Sequence, residues 1–421
     1  MPSTRLTRYI IVGLVLGVVS GYTCYVYFPG SSAQFAEIAS LLPTAFLRLI
    51  KMIIALLVFS TLVVGIAKMG DIATVGRNGG KALGWFIFAS LVSLTLGLVL
   101  VQLFEPGKAI HLAIPAATES SGVQASALSL KGFIEHTLPT SVFDSMARNE
   151  ILQIVVFSLF FGTAMAALGE RSKPVIAVLD ATSHIMLKVT GYVMWFAPLA
   201  VFGALAHTVA ERGLDILRVY GIFMGEFYLA MVLLWVVLAL LGSVFIGRRV
   251  LTLMRRVREP VILAFSTASS EAAYPKTLEE LERFGCSNRI ASFVLPMGYS
   301  FNLDGSMIYC TFAVMFIAQV YGIELSIGQQ FLMVAILMLT SKGIAGVPRA
   351  SLVVIAATLA QFNIPEAGLL LLLGIDHFLD MGRSATNVIG NSIATAVVSK
   401  WEGELKTEGE ADAAFAERVA A

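Results

Sequence analysis

The chain has 421 residues, 57% hydrophobic and only 14% charged, with a mean hydropathy of +0.83. Soluble domains carry about 25% charged residues, so the composition is that of a polytopic membrane protein. A net charge of +1 leaves no electrostatic footprint for nucleic acid, and Cys24, Cys286 and Cys310 lie too far apart for a disulfide framework or a zinc site.

Apolar spans are expected at 8–28, 43–68, 80–104, 151–168, 178–207 and 216–246. Each approaches or exceeds the run of about 20 residues that covers a ~30 Å hydrocarbon core. The first follows Arg5 and Arg8; it is too long for a signal-peptide core and lacks a small-residue cleavage site. Basic residues set the orientation. Arg5 and Arg8, then Lys68, Arg77 and Lys81, then Arg248, Arg249, Arg255, Arg256 and Arg258 share one side if every span crosses once, and that side is the cytoplasmic one. The Ser-, Thr- and Ala-rich stretch 107–149 is then an outside, mobile loop, and the polar tail after Trp401 is solvated with no assigned function.

From 259 the pattern changes. Residues 259–275 (EPVILAFSTASSEAAYP) begin apolar and break into small polar residues before Pro275, and 326–348 (SIGQQFLMVAILMLTSKGIAGVP) repeat that design. Neither half is long enough to cross alone. Each is followed by a helix with polar groups at mid-depth, Asn302 to Ser306 after the first and Gly374 to Lys400 after the second. Paired interrupted segments in two halves point to inverted repeats around a midplane site, because irregular backbone at that depth must be buried in protein or line a cavity.

The stretch Gly374–Lys400 organises the rest. At about 100° per residue its Asp376, Asp380, Arg383, Ser384, Asn387 and Asn391 fall in one stripe about 100° wide. A charge at mid-bilayer costs at least ~2.5–3.5 kcal/mol, so the stripe faces protein, water or a ligand. The opposite face (Ile375, Leu379, Val388, Ile389, Val397) is apolar enough for lipid or core. A stripe lining a substrate and ion pathway is the reading we carry forward.

These residues resemble the glutamate transporter, or dicarboxylate/amino acid:cation symporter, family, and within it the bacterial proton/glutamate symporters. The resemblance runs from LIKMI (49–53) to SKWEGEL (399–405), and its most specific parts are the Ser-rich tip 266–271, FNLDGS (301–306), SKGIAGVP (341–348) and the 376–391 pattern. It implies an all-α polytopic membrane protein with eight transmembrane helices plus two re-entrant helical hairpins, at about 250–285 and 326–362, working as an elevator-type transporter. The division it implies is a scaffold at 1–79 and 151–215, a transport domain at 80–106 and 216–402, an extracellular loop at 107–150 and a polar cytoplasmic tail at 403–421. A homotrimer in the cell (inner) membrane is expected, with both termini cytoplasmic.

The resemblance also assigns roles. Arg383 offers a permanently charged planar fork for the distal carboxylate of glutamate or aspartate. Asp380, one turn away, would take the α-ammonium, and the dicarboxylate branch typically lacks an acid there. Ser306, Ser351, Ser384 and Asn387 are polar contacts. The tips around Ser269 and Ser270, and around Gly346 and Val347, would close over the substrate from opposite sides.

The coupling-ion candidates are Gly298, Asn302, Asp304, Asp376 and Asn391, with Glu271 and His377 nearby. Sodium-driven members have a carboxylate at the position of Asn391, and a Tyr and a Thr where this chain has Phe86 and Ala89, with Ser90 polar. Asp304 and Asp376 would then be buried without a metal to neutralise them, and such carboxyls take up protons. The expectation is import of an acidic amino acid with H+ and no cofactor or metal. Na+-coupled transport of aspartate or C4-dicarboxylates is the alternative, and an anion channel the alternative from another class. No nucleophile-and-base set or metal cluster suggests an enzyme.

Overall fold

The computed structural model describes residues 3–69, 72–109, 115, 134–135, 137–213, 216–341, 350–373, 375–407 and 409–410. Among them the only pairing of extended backbone is an isolated bridge between Cys286 and Leu405. Everything else that is regular is helix. In chain order the principal helices are α1 (Ser3–Tyr27), α2 (Pro29–Met69), α3 (Ile72–Phe104), α4 (Val142–Arg148), α5 (Ile151–Leu168), α6 (Lys173–Val193), α7 (Ala197–Arg212) and α8 (Ile216–Ile246). They continue with α9 (Arg249–Arg256), α10 (Arg258–Thr267), α11 (Tyr274–Phe284), α12 (Asn288–Phe301), α13 (Asp304–Val320), α14 (Ile327–Thr340), α15 (Ala350–Gln361) and α16 (Asp376–Trp401). Six stretches among the described residues are long and apolar enough to cross a bilayer: Arg8–Tyr27, Pro29–Ala67, Ala73–Lys108, Ile151–Glu211, Tyr220–Ile246 and Asn288–Val320. This is the architecture of an all-α multi-pass membrane protein.

Three expectations about the spans change. The second helix starts at Pro29 rather than at 43 and carries Pro43 inside its 41 residues. At 1.5 Å per residue that is about 60 Å, twice the hydrocarbon core, so only part of it can span. The single span expected at 178–207 is two helices, α6 and α7, separated by a 3-10 turn at Met194–Phe196. Pro198 sits in the first turn of α7, where its missing N–H costs nothing, whereas in the middle of a continuous helix it would delete a bond and clash. The stretch expected as an outside loop contains a helix: α4 is N-capped by Ser141, whose side chain accepts from the Asp144 N–H.

A fourth expectation concerns the tail. Residues just past α16 are not a free solvated end but a strap. Glu404 pairs with Arg289 and accepts from the Ser287 hydroxyl. The Lys406 N–H donates to the Gly285 carbonyl at 2.9 Å, where Gly285 ends α11 in the left-handed region at φ 116. Glu402 joins α3 through Lys81 at 2.6 Å and Arg77 at 3.1 Å. Partial burial pushes its carboxyl up, but the hydrogen bonds from Lys81 and Arg77 outweigh that and hold it below the usual range.

Two groups of helices can be told apart by what they pack on. Helices α1, α2, α5, α6 and α7 pack mainly around α2 and α7. Helices α3, α8, α10, α12 and α13 surround α16, with α14 and α15 against α13. The groups meet where α12 lies on α2 and α5, and where α10 touches α7. Between α2 and α12, Gly65 brings the backbones close; a Cβ there would stand 3.1 Å from the Ser292 hydroxyl. Every residue of α16 from Met381 to Ser399 is buried, so its apolar face meets protein core. By contrast α8 exposes Ile222, Leu229, Val236, Leu240 and Val244, a stripe suited to lipid.

Candidate functional site

The site is built where α12 and α13 part. Asn302 (φ −129, ψ 60) and Leu303 (φ −93, ψ 65) leave the helix, and α13 restarts at Asp304. Pro296 lies upstream within α12 and weakens its last turns. The break is laid against the middle of α16, and glycines make the approach possible. A Cβ on Gly305 would collide with the Arg383 main chain, one on Gly390 with the Asp304 carboxylate, and one on Gly298 with the Asn391 amide. The Gly305 N–H donates to Asn387 Oδ1 at 2.8 Å and pins the register of α13 on α16.

Towards the start of α16 stands a guanidinium cluster. Arg383, only 1% exposed, donates from Nη2 to Asp376 Oδ1 at 3.1 Å and reaches Asp380 Oδ1 at 2.9 Å. Its Cζ lies 4.1 Å from the centre of the Tyr309 ring, a cation–π stack, and the Tyr309 hydroxyl donates to Asp376 Oδ1 at 3.3 Å. Arg383 Nε and Nη1 are buried with no hydrogen-bond partner. Two orphaned guanidinium donors this deep are costly unless something is meant to fill them. The Asp380 side chain is 34% exposed and that of Asp376 only 3%, so one acid is reachable and the other is enclosed. Asp376 was expected to lie buried without a neutralising partner; instead it holds Arg383.

Two turns further along α16 lies an amide and carboxylate cluster. Asp304, fully buried, accepts from the Ser93 hydroxyl at 3.1 Å and from Asn302 Nδ2 at 3.0 Å. Asn302 Nδ2 also reaches Asn391 Oδ1 at 3.1 Å. Asn302 Oδ1 and Asn391 Nδ2 are then buried without a partner, one an acceptor and the other a donor. Phe86 and Ala89 are buried on α3 in the same helix that supplies Ser93.

The remaining expected residues are placed as follows. Ser306, Ser351 and Ser384 are buried, on α13, α15 and α16. Ser269 and Ser270 form the turn between α10 and α11, where Ala268 adopts the left-handed region at φ 48 and the Ser269 hydroxyl accepts from the Ala272 N–H at 3.2 Å. Glu271 opens a 3-10 turn packed against α2, and the charged groups around it are Lys51 and Glu150 rather than members of either cluster. His377 is half-buried beside the Phe378 ring. Gly346 and Val347 lie outside the described residues. Sequence reasoning missed Ser93 and Tyr309, and also the two residues of α8 that hold α16. Tyr228 donates to the Phe378 carbonyl at 2.6 Å, and Trp235 donates to the Thr386 hydroxyl at 2.8 Å. Their signal was weak: each is a single polar atom in an apolar helix.

The arrangement can grip a carboxylate at Arg383, offer Asp380 to a cation or ammonium, and bind or exchange a small cation at Asp304. Comparison with known proteins agrees in kind. The sequence profile of the sodium:dicarboxylate symporter family matches residues 6–401. The chain is 39% identical over 418 residues to the proton/sodium-glutamate symport protein of Bacillus caldotenax, covering 97% of both chains. It is 39% identical over 407 residues to the C4-dicarboxylate transport protein of Laribacter hongkongensis (95% of this chain, 90% of the relative). It is 38% identical over 409 residues to the C4-dicarboxylate transport protein of Bacillus subtilis (95% and 94%).

Proposed function

The chain belongs to the sodium:dicarboxylate symporter family, a family of transport proteins rather than enzymes, and from that premise we propose that it imports glutamate or aspartate together with protons. The observation that carries the substrate reading is the guanidinium cluster. Arg383 keeps two donors, Nε and Nη1, buried and unengaged, and Asp380 beside it is the more exposed of its two acids. An acidic amino acid would fill both. Its ammonium draws Asp380 away from Arg383, its distal carboxylate accepts from the unengaged guanidinium N–H groups, and Asp376 with the Tyr309 ring holds the guanidinium still. The α-carboxylate goes to the hairpin-tip backbone N–H groups around Ser270. Ser306, Ser351, Ser384 and Asn387 supply hydrogen bonds.

The coupling reading rests on the amide cluster. Asn391 turns its oxygen to Asn302 and leaves an N–H donor unengaged; a donor there repels a bare cation, while Asp304 beside it accepts a proton without needing a ligand cage. Asp304, held by Ser93 and Asn302, is the proton carrier in this reading. Gly298 lets Asn391 pack close.

The two packing groups correspond to the scaffold (1–79, 151–215) and the transport domain (80–106, 216–402), with the first boundary moved to the start of α3 at Ile72, and the second group slides as an elevator. Helices α10 and α11, about 15 Å and 16 Å long, and likewise α14 and α15, are each too short to cross a ~30 Å core and enter and leave from one side as re-entrant hairpins. Eight spans, a homotrimer, cytoplasmic termini and the cell membrane complete the proposal.

A second reading has its own observation. In the structure Asp380 stays 2.9 Å from Arg383, and an acid that never leaves that pair would suit a C4-dicarboxylate, which has no ammonium. Radiolabelled uptake into proteoliposomes, with pH and sodium gradients imposed separately, decides both questions. Glutamate or aspartate accumulation driven by an inward proton gradient in sodium-free buffer is the expected result. Uptake of succinate or malate alone, or uptake that needs sodium and ignores external pH between about 5 and 8, would overturn it.

A further inference from the structure

The link between α8 and α10 carries a basic face that enters the sequence argument only as a marker of orientation. Gly247 (φ +61) ends α8 in a conformation that suits glycine and turns the chain into α9. Helix α9 is anchored from within. Val250 and Leu253 are buried, and Arg249 stacks on the Phe284 ring at 4.7 Å while donating to the Phe284 carbonyl at 2.9 Å. On the other face Leu251 and Arg255 lie four residues apart on α9, with Arg248 at its N-cap three residues before and Arg258 three residues after, at the start of α10. All four are exposed, Leu251 by 59%. This face follows in sequence on the end of α8, where Leu240 and Val244 are 62% and 75% exposed.

Three arginines so close in sequence usually have acids facing them. Here the carboxylates on the neighbouring α11 are engaged elsewhere: Glu279 and Glu280 by Lys276 and Arg283, and Glu282 by Asn288. Glu259, on α10, is buried and lies 3.8 Å from Lys276. Among the described residues Arg248, Arg255 and Arg258 make no ion pair. The face therefore presents positive charge, with one leucine among it, at the end of a lipid-facing span.

We propose that the Arg248–Leu251–Arg255–Arg258 face binds the phosphate headgroups of anionic phospholipids. Leu251 enters the acyl boundary beside Val244 while the arginine stems lie along it and their heads reach the phosphates. The bound lipid holds α9, and through it the entry to α10, at the membrane interface. This inference is independent of the substrate and the coupling ion.

The test uses the purified full chain. Native mass spectrometry with phosphatidylglycerol and, separately, phosphatidylcholine compares wild type with R248Q/R255Q/R258Q and R248K/R255K/R258K. At about fivefold per arginine, the triple glutamine variant should bind phosphatidylglycerol roughly a hundredfold more weakly. The lysine variant should keep most of the binding, and phosphatidylcholine should bind all three proteins alike. If the triple glutamine variant does not fold, the single variants, each about fivefold weaker, carry the test. Equal phosphatidylglycerol binding by the wild-type and glutamine proteins overturns the proposal. So does a loss of uptake in the glutamine variant that is the same in vesicles with and without phosphatidylglycerol, since that would mark a structural role or a protein partner.

Discussion

Removing Arg383 should do two separable things. Its guanidinium pairs with Asp376 at 3.1 Å and with Asp380 at 2.9 Å. Arg383→Cys strands Asp376, whose side chain is 3% exposed, and leaving one partner of a buried pair uncompensated costs about 3–5 kcal/mol. Asp380 is too exposed to add a comparable cost. The single variant should therefore melt several degrees below wild type and also lose affinity for acidic substrates by about 100-fold or more. In the double variant Arg383→Cys with Asp376→Asn, both charges are gone and the stranded acid is no longer there to be penalised. Most of the lost stability should return while acidic substrates stay excluded. Melting of the purified proteins followed by tryptophan fluorescence, together with proteoliposome uptake, reads the two effects apart. A single variant as stable as wild type would show that Asp376 does not depend on Arg383. A double variant that again takes up glutamate with wild-type affinity would remove Arg383 from substrate binding.

Asp380→Asn should weaken amino acid binding by about 10–100-fold while succinate and malate lose little, because only the former carry an ammonium; equal losses in competition assays would count against an ammonium partner at this position. Gly305→Ala sets a methyl group on the Arg383 main chain and should cost about 1–3 kcal/mol through overpacking, seen as a lower melting temperature; an unshifted melt would mean α13 and α16 can separate freely. Glu402, held below the usual carboxylate range by Lys81 and Arg77 against partial burial, stabilises the strap fully above the unfolded carboxyl value of about 4.3, and that stabilisation is lost as pH falls through the lower folded value. Glu402→Gln should thus melt lower than wild type at neutral pH and converge with it in acid; parallel curves down to the lowest pH would refute the assignment.

Much of the site's raw material could be read in the sequence, but its partnerships could not. The stripe on α16 followed from a period of 3.6, and the break before Asp304 followed from polar residues in an apolar run. Asp376 and Arg383 are seven residues apart, on one face but about 10.5 Å along the axis, so spacing favours Asp380 at three, and only the long arginine side chain lets the pair with Asp376 form. Ser93 reaches Asp304 across 211 residues, and one serine among many in apolar helices gives no sign of which it is. Tyr309 looked like core, and its ring is, but its hydroxyl and face belong to the site. Charge misled at the strap: Glu402 and Glu404 read as solvated because their partners, Arg77, Lys81, Ser287 and Arg289, lie far away in sequence. The start of α2 was missed because residues 29–42 favour a helix without being continuously apolar. The break at Met194 was hidden because hydrophobicity runs straight through it.

The charges on α16 and its neighbours give a physical reason for symport. With every group ionised, one guanidinium faces two carboxylates at Arg383, leaving a single negative charge, and Asp304 adds another two turns away. An acidic amino acid brings a further net negative charge into the same buried volume. Such an accumulation is untenable at mid-membrane unless cations enter with the substrate. Asn391, where sodium-driven relatives are expected to have a carboxylate, removes one negative charge from that sum. Fewer cations would then suffice, and on the reading proposed above a proton on Asp304 meets the need without stripping a metal ion of its water. The two clusters sit on one buried helix, with Asn387 holding Gly305 between them. Filling one cluster therefore changes the charge felt by the other through fixed geometry. On this argument substrate and proton bind cooperatively, and Asp304→Asn should yield a carrier that still binds substrate while its transport no longer responds to a proton gradient.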